Sequence, residues 1–505
     1  MHTGAKCIKT RVIRHGAIAI QLGDCRTFSF SWMPGYPSDK IVFADNQPHE
    51  PSMSGFIPVD RQTQYLFPPS VDEWLPENHL ARFIVEVIEQ LDLSELTRAY
   101  RGRGSAAHHP AVLLGLLIYG YATGVPSSRK IERATYDSVA FRYIAANTHP
   151  DHDTLATFRR RFGAQLEQLF VQVLVLAREM GMLKVGKISV DGTKVKANAS
   201  KHRALSWEHL VKIEKLLRDE VKQLLALAES EDRNNLPDGM NVPQEIARRE
   251  ERLAVMGEAK RKLEERARER DAAQQAEFDT KSARRDAQRK AGKKPRGKDP
   301  EPPTTGPQDK DQINLTDEQS RIMKVSGGGF EQCYNGQCAV DAGSMLIVAT
   351  GVTQACNDKQ QIKPMLAMLK SHEAELGKPE QLCADTGYFS AANVDACVEA
   401  GVEPMIAMGR EAHYPGLLAR FTEPEPLPDN EDADAVTQMA HRLKTLSGRA
   451  DYALRKQTVE PVFGIIKHVM KFRQFLLRGV EKVRHEWNLV ALAWNLKRMS
   501  TLNMA

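Results

Sequence analysis

The sequence lacks the features of a membrane-embedded or secreted protein. Its longest apolar run, near residues 111–119, is far shorter than the roughly 20 residues that a bilayer requires. The apolar stretch AIAIQL near the amino terminus is too short for the core of a signal peptide. We therefore predict a cytoplasmic protein.

Cysteines are few, and their spacing does not pair them. The chain has seven cysteines among 505 residues, an odd number, and no CxxC pair. This pattern is typical of reduced thiols and argues against a disulfide framework or a cysteine-ligated zinc site. The two closest, Cys333 and Cys338, lie five positions apart on a predicted strand, so we expect them on opposite faces.

The chain has little net charge, but that charge is unevenly distributed. The formal total is +5 at pH 7. Between Tyr452 and Arg498, ten Lys/Arg residues oppose three Asp/Glu residues, so this stretch carries +7 and the remainder carries −2. A basic surplus confined to one helical region favours binding to a polyanion such as DNA. A solvated helix face would give the same count.

The amino-terminal third divides into two segments of different periodicity. Residues 1–60 show no sustained pattern and are predicted to be a poorly ordered leader. Residues 61–175 repeat apolar residues at helical spacing, as in HLARFIVEVIEQL, and predict an all-α domain. An arginine run in this domain makes it the candidate DNA-binding domain. Its last basic helix, TLATFRRRF, carries Arg159 and Arg160, which either contact DNA phosphates or belong to a solvated face.

Residues 176–505 predict an α/β domain with an insertion. VGKISVDGTKVKA indicates a buried strand that leads into a glycine turn, and EQCYNGQCAV with MLIVATGVT indicates a hairpin. Residues 201–325 are charged and helical, then rich in Pro, Gly and Lys, which predicts a helical insertion followed by a flexible linker. Without the insertion, the order is strand, hairpin, helix, strand, helix, strand, helix. That order fits a ribonuclease H-like mixed sheet flanked by helices.

Three carboxylates occupy positions suited to a metal site. Asp191 ends KISVD and Asp385 ends QLCAD, so both emerge at one sheet edge if these strands are neighbours. Glu460 precedes Pro461, and it either caps a helix that begins there or lies at a kink in a longer helix. Together the three could hold a pair of Mg²⁺ ions against a phosphodiester.

Each of these carboxylates also has a simpler explanation. An aspartate before Gly or Thr often only forms a turn, and a glutamate among basic residues often only forms an ion pair. Glu481 and Glu486 are alternative third ligands. Asp341 and Asp358 are further carboxylates, which we expect in turns and not beside Asp191.

Several blocks in order, between Arg61 and Met499, resemble bacterial insertion-sequence transposases of the DDE type. LFPPSVDEWLPENHLARFI is similar to the amino-terminal domain of that family. KISVDGTKVKANASKH is similar to its first-aspartate block and CADTGYFS to its second. NLTDEQSRIMK with YNGQCAVD is similar to the middle block, and RKQTVEPVFGIIKHVMKFRQFLLRG to the glutamate block.

The resemblance implies an activity and its partners. Asp191, Asp385 and Glu460 would be a catalytic triad that binds Mg²⁺, with Mn²⁺ as a substitute. The enzyme would cut double-stranded DNA at terminal inverted repeats and join the 3′-hydroxyl to target DNA, as a homodimer at the bacterial nucleoid. Two alternatives remain open: a catalytically inactive, transposase-derived DNA-binding protein, and a structure-selective nuclease of the same fold.

The resemblance also implies contacts with the DNA backbone. Tyr452, Arg455 and Lys467 are similar to the tyrosine, arginine and lysine that accompany the glutamate in the family. The gap from Arg455 to Glu460 is one residue longer than in that pattern, which makes Arg455 the less secure assignment. We add Lys471 from the same basic stretch as a candidate DNA contact.

Overall fold

The structure, a computed structural model, describes most of the chain. The described residues are 9–13, 17–22, 26–29, 70–100, 107–229, 240–292, 297–325, 327–409, 421–426 and 434–504. The chain splits into two compact units, Met1–Pro68 and Pro69–Ala505.

The first unit contains a three-stranded antiparallel sheet. Its strands, in spatial order, are β1 (Lys9–Ile13), β2 (Ala17–Leu22) and β3 (Arg26–Ser29). The other residues of the predicted leader lie outside the described part of the chain. The prediction of a poorly ordered leader over residues 1–60 therefore stays a prediction.

The second unit begins with helices. They are α1 (Val71–Trp74), α2 (Leu80–Glu89), α3 (Ser94–Arg98), α4 (Pro110–Thr123), α5 (Ser128–Asp137), α6 (Val139–Ile144), α7 (His152–Arg161) and α8 (Gly163–Glu179). Helix α4 is apolar on all sides and almost entirely buried, as expected for the centre of a helical layer. Pro110 opens this helix, and Gly124 closes it with a φ of 82° that suits glycine.

A mixed sheet forms the centre of the second unit. Its strands are β4 (Lys187–Lys196), β7 (Arg321–Lys324), β8 (Phe330–Asp341), β9 (Ile347–Thr353), β10 (Gln381–Ala384) and β11 (Glu403–Ile406), while β5 (Ala204–Ser206) and β6 (Gln312–Asn314) form a separate pair. Strands β11, β10 and β4 are parallel neighbours, and β8 runs antiparallel to β4, β7 and β9. The mixed α/β class is confirmed, as is the β8–β9 hairpin.

The predicted insertion contains two long helices. Helix α9 (Trp207–Glu229) packs on α10 (Val242–Lys290) around a small apolar core of its own. The described part of the predicted linker lies against α10, where Asp299 accepts hydrogen bonds from Arg285 and Arg289. Arg270 makes a similar ion pair with Asp311.

Helices cover the sheet on two faces. They are α11 (Ile362–Ser371), α12 (Glu373–Leu376), α13 (Ala391–Glu399), α14 (Ala435–Arg442), α15 (Leu446–His468) and α16 (Val480–Asn503). Helix α15 packs on β4, β8 and β10, while α16 packs on β9 and also on α4 and α8. Because α16 contacts both the sheet and the first helices, one continuous hydrophobic core includes the helical region and the sheet.

Candidate active site

Three carboxylates converge on the guanidinium of Arg455. Its Nη2 atom lies 3.3 Å from Asp191 Oδ2 and 3.6 Å from Asp385 Oδ2, and its Nη1 atom lies 3.4 Å from Glu460 Oε1. The arginine side chain is only 8% exposed, so this cation lies inside the site. The structure therefore brings the three predicted acidic residues to one point.

Strand pairing explains how the two aspartates meet. Strands β10 and β4 are parallel, with Cys383 opposite Ser189. Asp385 lies two positions beyond Cys383 and Asp191 two positions beyond Ser189, so continuing the register places them side by side. Asp191 does not end its strand as predicted, because β8 pairs with β4 along its length and extends it to Lys196.

Gly192 lies within β4 and does not form the predicted turn. A Cβ atom at this position would lie 2.2 Å from Gln337 Nε2 and 2.6 Å from Asp358 Oδ1. Both distances are shorter than any tolerable contact, so a larger residue would displace those side chains. Glycine is needed here because polar groups approach the strand closely on the face opposite to Asp191.

Helix α15 brings the third carboxylate and the arginine. It continues through Pro461, so the longer of the two predicted helices is observed. The hydroxyl of Thr458 lies 2.9 Å from the hydroxyl of Ser189 and connects α15 to β4 two residues before Asp191. Glu460 and Arg455 thus project from a helix that is fixed to the central strand.

The environment of the three carboxylates differs. Asp191 is 18% exposed, whereas Asp385 is 41% and Glu460 53% exposed. Burial raises the pKa of Asp191 to about 6, and the charge of Arg455 limits this rise. The pKa of this aspartate therefore lies closer to neutrality than that of an ordinary carboxyl group.

The three carboxylates suit a hard divalent cation, although in this structure the guanidinium of Arg455 provides the positive charge between them. Carboxylate oxygens are the preferred ligands of Mg²⁺. Among the residues that the structure describes, no three His, Cys, Asp or Glu side chains stand close enough to hold a metal by themselves. Arg455 binds all three carboxylates, so a metal would have to take over its contacts.

Lys467 lies on α15 about two turns beyond Glu460, so the two residues share one face of the helix, and Lys471 follows the helix. We call these residues the basic side of the site. Lys467 is half-buried, and burial lowers its pKa, with the nearby positive charge of Lys194 adding to this effect. Lys471 is exposed, and Tyr452 is partly buried. Arg455, in contrast, is buried among carboxylates, so in this structure its guanidinium is not placed to bind DNA as predicted.

Arg159 is also buried, and the prediction that it contacts DNA is wrong. Its Nη1 atom donates to the hydroxyl of Tyr121 at 3.0 Å and to the carbonyl of Pro126 at 3.2 Å. The same tyrosine hydroxyl donates to the buried carboxylate of Glu486 at 2.6 Å. The neighbouring Arg160 is exposed, as a DNA contact requires.

Glu486 is therefore unsuitable as the alternative third ligand. Its carboxylate also accepts hydrogen bonds from the backbone amides of Leu476 and Leu477, both at 2.9 Å. The side chain is fully buried and its oxygens are used in this network. It stabilises the junction of α4, α7 and α16 instead of the carboxylate site.

Asp358 is nearer to the site than predicted. It lies in a turn as expected, but its charge acts on Asp191 and its Oδ1 atom approaches Gly192. The second carboxylate that was expected in a turn, Asp341, is instead the last residue of β8, and it accepts a hydrogen bond from the backbone amide of Ser344 in the turn that follows. No sequence signal distinguished these two aspartates, because the difference arises from the part of the sheet that each one approaches.

Comparison with protein families agrees with the resemblance of the blocks. The model described as "Transposase domain (DUF772)" matches residues 69–161, and the model described as "Transposase DDE domain" matches residues 428–500. Both matches support an insertion-sequence transposase of the DDE type. The protein therefore acts on DNA, and its DDE domain is that of a polynucleotidyl transferase or endonuclease. The second match contains Glu460 and Arg455.

One curated protein shares a short similar stretch with the transposase. Solute carrier family 22 member 6 of Oryctolagus cuniculus is 24% identical over 150 residues, 29% of this chain and 26% of that protein. The chain thus spans about a quarter of the length of that relative, too little to assign a family. No solved structure matches.

Helix length gives little support to a membrane span in the described part of the chain. No single helix there is both long and apolar enough to cross a bilayer. The helices Pro110–Thr123 and Ser128–Asp137 meet the criteria of length and composition only as a pair, and they are bent by 97°.

Proposed function

We propose that this transposase cuts DNA at the ends of its insertion sequence and joins the freed 3′-hydroxyl to target DNA, within a ribonuclease H-like catalytic domain. The observation that carries this proposal is the convergence of Asp191, Asp385 and Glu460 on one buried cation, Arg455. Carboxylates gathered from two neighbouring strands and a covering helix suit phosphodiester chemistry.

Asp191, Asp385 and Glu460 would hold Mg²⁺, or Mn²⁺ in its place. Metal bound there would activate a water or hydroxyl and stabilise the leaving oxygen. Arg455 keeps the three carboxylates together when the metal is absent, because its charge offsets their mutual repulsion. Metal loading then requires the guanidinium to withdraw from the carboxylates.

The basic side of the site would hold the DNA backbone. Lys467 and Lys194 are close enough for their charges to affect one another, and a phosphate between them would relieve this repulsion. Lys471 and Tyr452 would add contacts with phosphates farther along the same DNA strand. Because Lys467 shares a face of α15 with Glu460, a phosphate bound there would lie on the same side of the helix as that carboxylate.

The helical region of residues 61–175 would recognise the terminal inverted repeats, with Arg160 on a phosphate. Two copies of the chain would pair the two ends as a homodimer. The protein would act in the cytoplasm, at the bacterial nucleoid. Salt dependence is expected to be steep, because phosphate contacts release counterions.

Cleavage and joining of the element's own termini test the proposal. Each of Asp191→Ala, Asp385→Ala and Glu460→Ala should lose cleavage in Mg²⁺ and in Mn²⁺, while a mobility-shift assay should show that end binding persists. Asp341→Asn is the matched control, because this buried aspartate lies on the same sheet but caps a turn away from Arg455. It should retain cleavage.

Other outcomes would contradict the proposal in distinct ways. Cleavage that survives in all three alanine variants would remove the carboxylates from catalysis. Cleavage without joined product would favour a structure-selective nuclease. Binding without any metal-dependent nicking by the unmodified protein would favour an inactive DNA-binding derivative.

A further inference from the structure

A buried hydrogen-bond chain lies behind Asp385. The residues after this aspartate form a short 3-10 turn, Thr386–Tyr388, and Asp385 Oδ1 accepts from the Gly387 amide at 2.8 Å. Tyr388 is fully buried, and its hydroxyl donates to Gln337 Oε1. The turn that presents Asp385 is thus anchored through a tyrosine to strand β8.

The orientation of the Gln337 amide depends on Asp358. Gln337 Nε2 donates to Asp358 Oδ1 at 2.7 Å, and its oxygen is then left to accept from Tyr388. A carboxylate only accepts hydrogen bonds, whereas an amide offers a donor at one end and an acceptor at the other. Asp358 therefore determines which end of the amide faces the tyrosine.

Other contacts fix Asp358 itself. Its Oδ1 atom also accepts from Asn335 Nδ2 at 2.6 Å, and its Oδ2 atom lies 3.8 Å from Lys194 Nζ. Both carboxylate oxygens thus face positive or donor groups of the protein. This arrangement suits an acceptor that orders its neighbours, and it differs from that of the carboxylates at Arg455.

A second connection joins the same two loops. Asn393 Nδ2 donates at 2.7 Å both to the carbonyl of Tyr388 and to the carbonyl of Lys359, which follows Asp358 in the chain. Asn393 is buried, so these bonds are shielded from water. The loop that carries Asp385 and the loop that carries Asp358 are therefore held together through a side chain and through the backbone.

We propose that Asp358 is a positioning residue of the catalytic site. It fixes the orientation of the Gln337 amide, and this amide accepts the hydrogen bond that anchors Tyr388 and the turn that carries Asp385. This inference rests on the proposed role of Asp385 as a metal ligand. Asp358 reaches the site from the face of the sheet that carries Gly192, where only a glycine leaves room for this chain. It acts through its neighbours and binds no metal itself.

Hydrogen exchange in the metal-free protein tests directly whether this series of hydrogen bonds holds the turn that carries Asp385. Asp358→Ala should raise the exchange rate of the Gly387 and Tyr388 amides by about tenfold or more, because the amide of Gln337 is no longer fixed. Asp358→Asn should stay within about threefold of the unmodified protein, since its Oδ1 atom can accept the same two bonds. Tyr388→Phe removes the hydrogen bond to Gln337 without changing Asp358, so it should also raise the exchange rate of these amides.

Asp341→Ala is the matched control. It removes a buried aspartate at the end of β8, the strand that also carries Gln337, so it should lower global stability without a selective change at residues 387–388. Binding of Mn²⁺, followed by calorimetry, gives a second readout. Asp358→Ala should weaken the affinity for Mn²⁺ about 10- to 100-fold, as expected when a residue that supports a metal ligand is lost. Asp358→Asn should retain the affinity of the unmodified protein.

Two results would overturn the inference. One is unchanged exchange at residues 387–388 in Asp358→Ala. The other is an Asp358→Asn variant that loses Mn²⁺ binding as Asp191→Ala does, since this would make Asp358 a ligand. Failure of the proposed function is distinguishable, because it would appear as unchanged cleavage in Asp191→Ala and Asp385→Ala whatever the exchange data show.

Discussion

Arg455 Nη2 lies 3.3 Å from Asp191 Oδ2, and this contact joins helix α15 to the central strand of the sheet. The same guanidinium contacts Asp385 and Glu460, so one side chain offsets the charge of three acids. Repulsion among neighbouring carboxylates destabilises the fold when no metal is bound. The buried guanidinium of Arg455 offsets this repulsion in the metal-free protein.

Arg455→Ala should therefore make stability depend on divalent metal. With a chelator present, we expect the free energy of unfolding to fall by about 1–3 kcal/mol, because hydrogen bonds to charged groups are lost. Added Mn²⁺ should recover more stability in this variant than in the unmodified protein, since no guanidinium competes for the carboxylates. Thermal unfolding with and without Mn²⁺ measures both effects.

Lys456→Ala is the control for that experiment. Lys456 neighbours Arg455 on α15 but is exposed, so its removal should change the free energy of unfolding by less than about 0.5 kcal/mol. If Arg455→Ala proved as stable as Lys456→Ala in chelator, the guanidinium would have no role in holding the acids together.

Asp191→Asn should stabilise the metal-free protein in a pH-dependent way. Burial raises the pKa of Asp191 to about 6, above its ordinary value of 3.8. Above the folded-state pKa, the protein therefore carries a carboxylate that costs stability. That cost declines as the pH falls through about 6 and is absent below 3.8, where the folded and unfolded chains both hold the proton.

Urea unfolding of Asp191→Asn and the unmodified protein, from about pH 8 to about pH 4, measures this difference. The variant should be the more stable at the alkaline end, and the two midpoints should approach each other towards acid. Asp151→Asn should show the opposite trend, because hydrogen bonds from Thr154 lower the pKa of Asp151. A constant gap for Asp191→Asn across the range would contradict the raised pKa.

Two neighbouring arginines should differ sharply in their effect on stability. Arg159→Ala leaves the buried carboxylate of Glu486 without its cation, so we expect a loss of about 3–5 kcal/mol in the free energy of unfolding. Arg160→Ala, one residue away and exposed, should cost less than about 0.5 kcal/mol. Urea midpoints would compare them, and equal losses would show that the buried network contributes little.

That pair of arginines shows what the sequence could not predict. Three consecutive arginines look equivalent in TLATFRRRF, and the buried one is selected by packing of α7 against α4, where Tyr121 connects Arg159 to Glu486 of α16. The partner of this network, Glu486, lies more than three hundred residues away, so no local pattern connects it to Arg159. The same limitation applies to Arg455, whose position on α15 did not reveal that it faces the carboxylates.

The meeting of the two aspartates was accessible to sequence reasoning. Strand-like runs ending in Asp191 and Asp385, in an order typical of an α/β sheet, were sufficient to predict neighbours at one edge. The extension of β4 beyond Asp191 was not predicted, because it depends on pairing with β8, which lies beyond the insertion. Gly192 was assigned to a turn for the same reason: the polar groups that exclude a side chain there come from β8 and the loop after β9.

Lys467 and Lys471 should each contribute one phosphate contact to end binding. Replacing either by alanine should weaken binding to different DNA sequences about equally. It should also reduce the slope of log K against log salt concentration by about 0.9, as one fewer counterion is released. Fluorescence anisotropy with a DNA fragment from the element's end, over a series of salt concentrations, measures this slope.

Lys215→Ala, which removes an exposed lysine on α9, is the control and should leave the slope unchanged. An unchanged slope for Lys467→Ala would show that the basic side of the site does not bind the backbone.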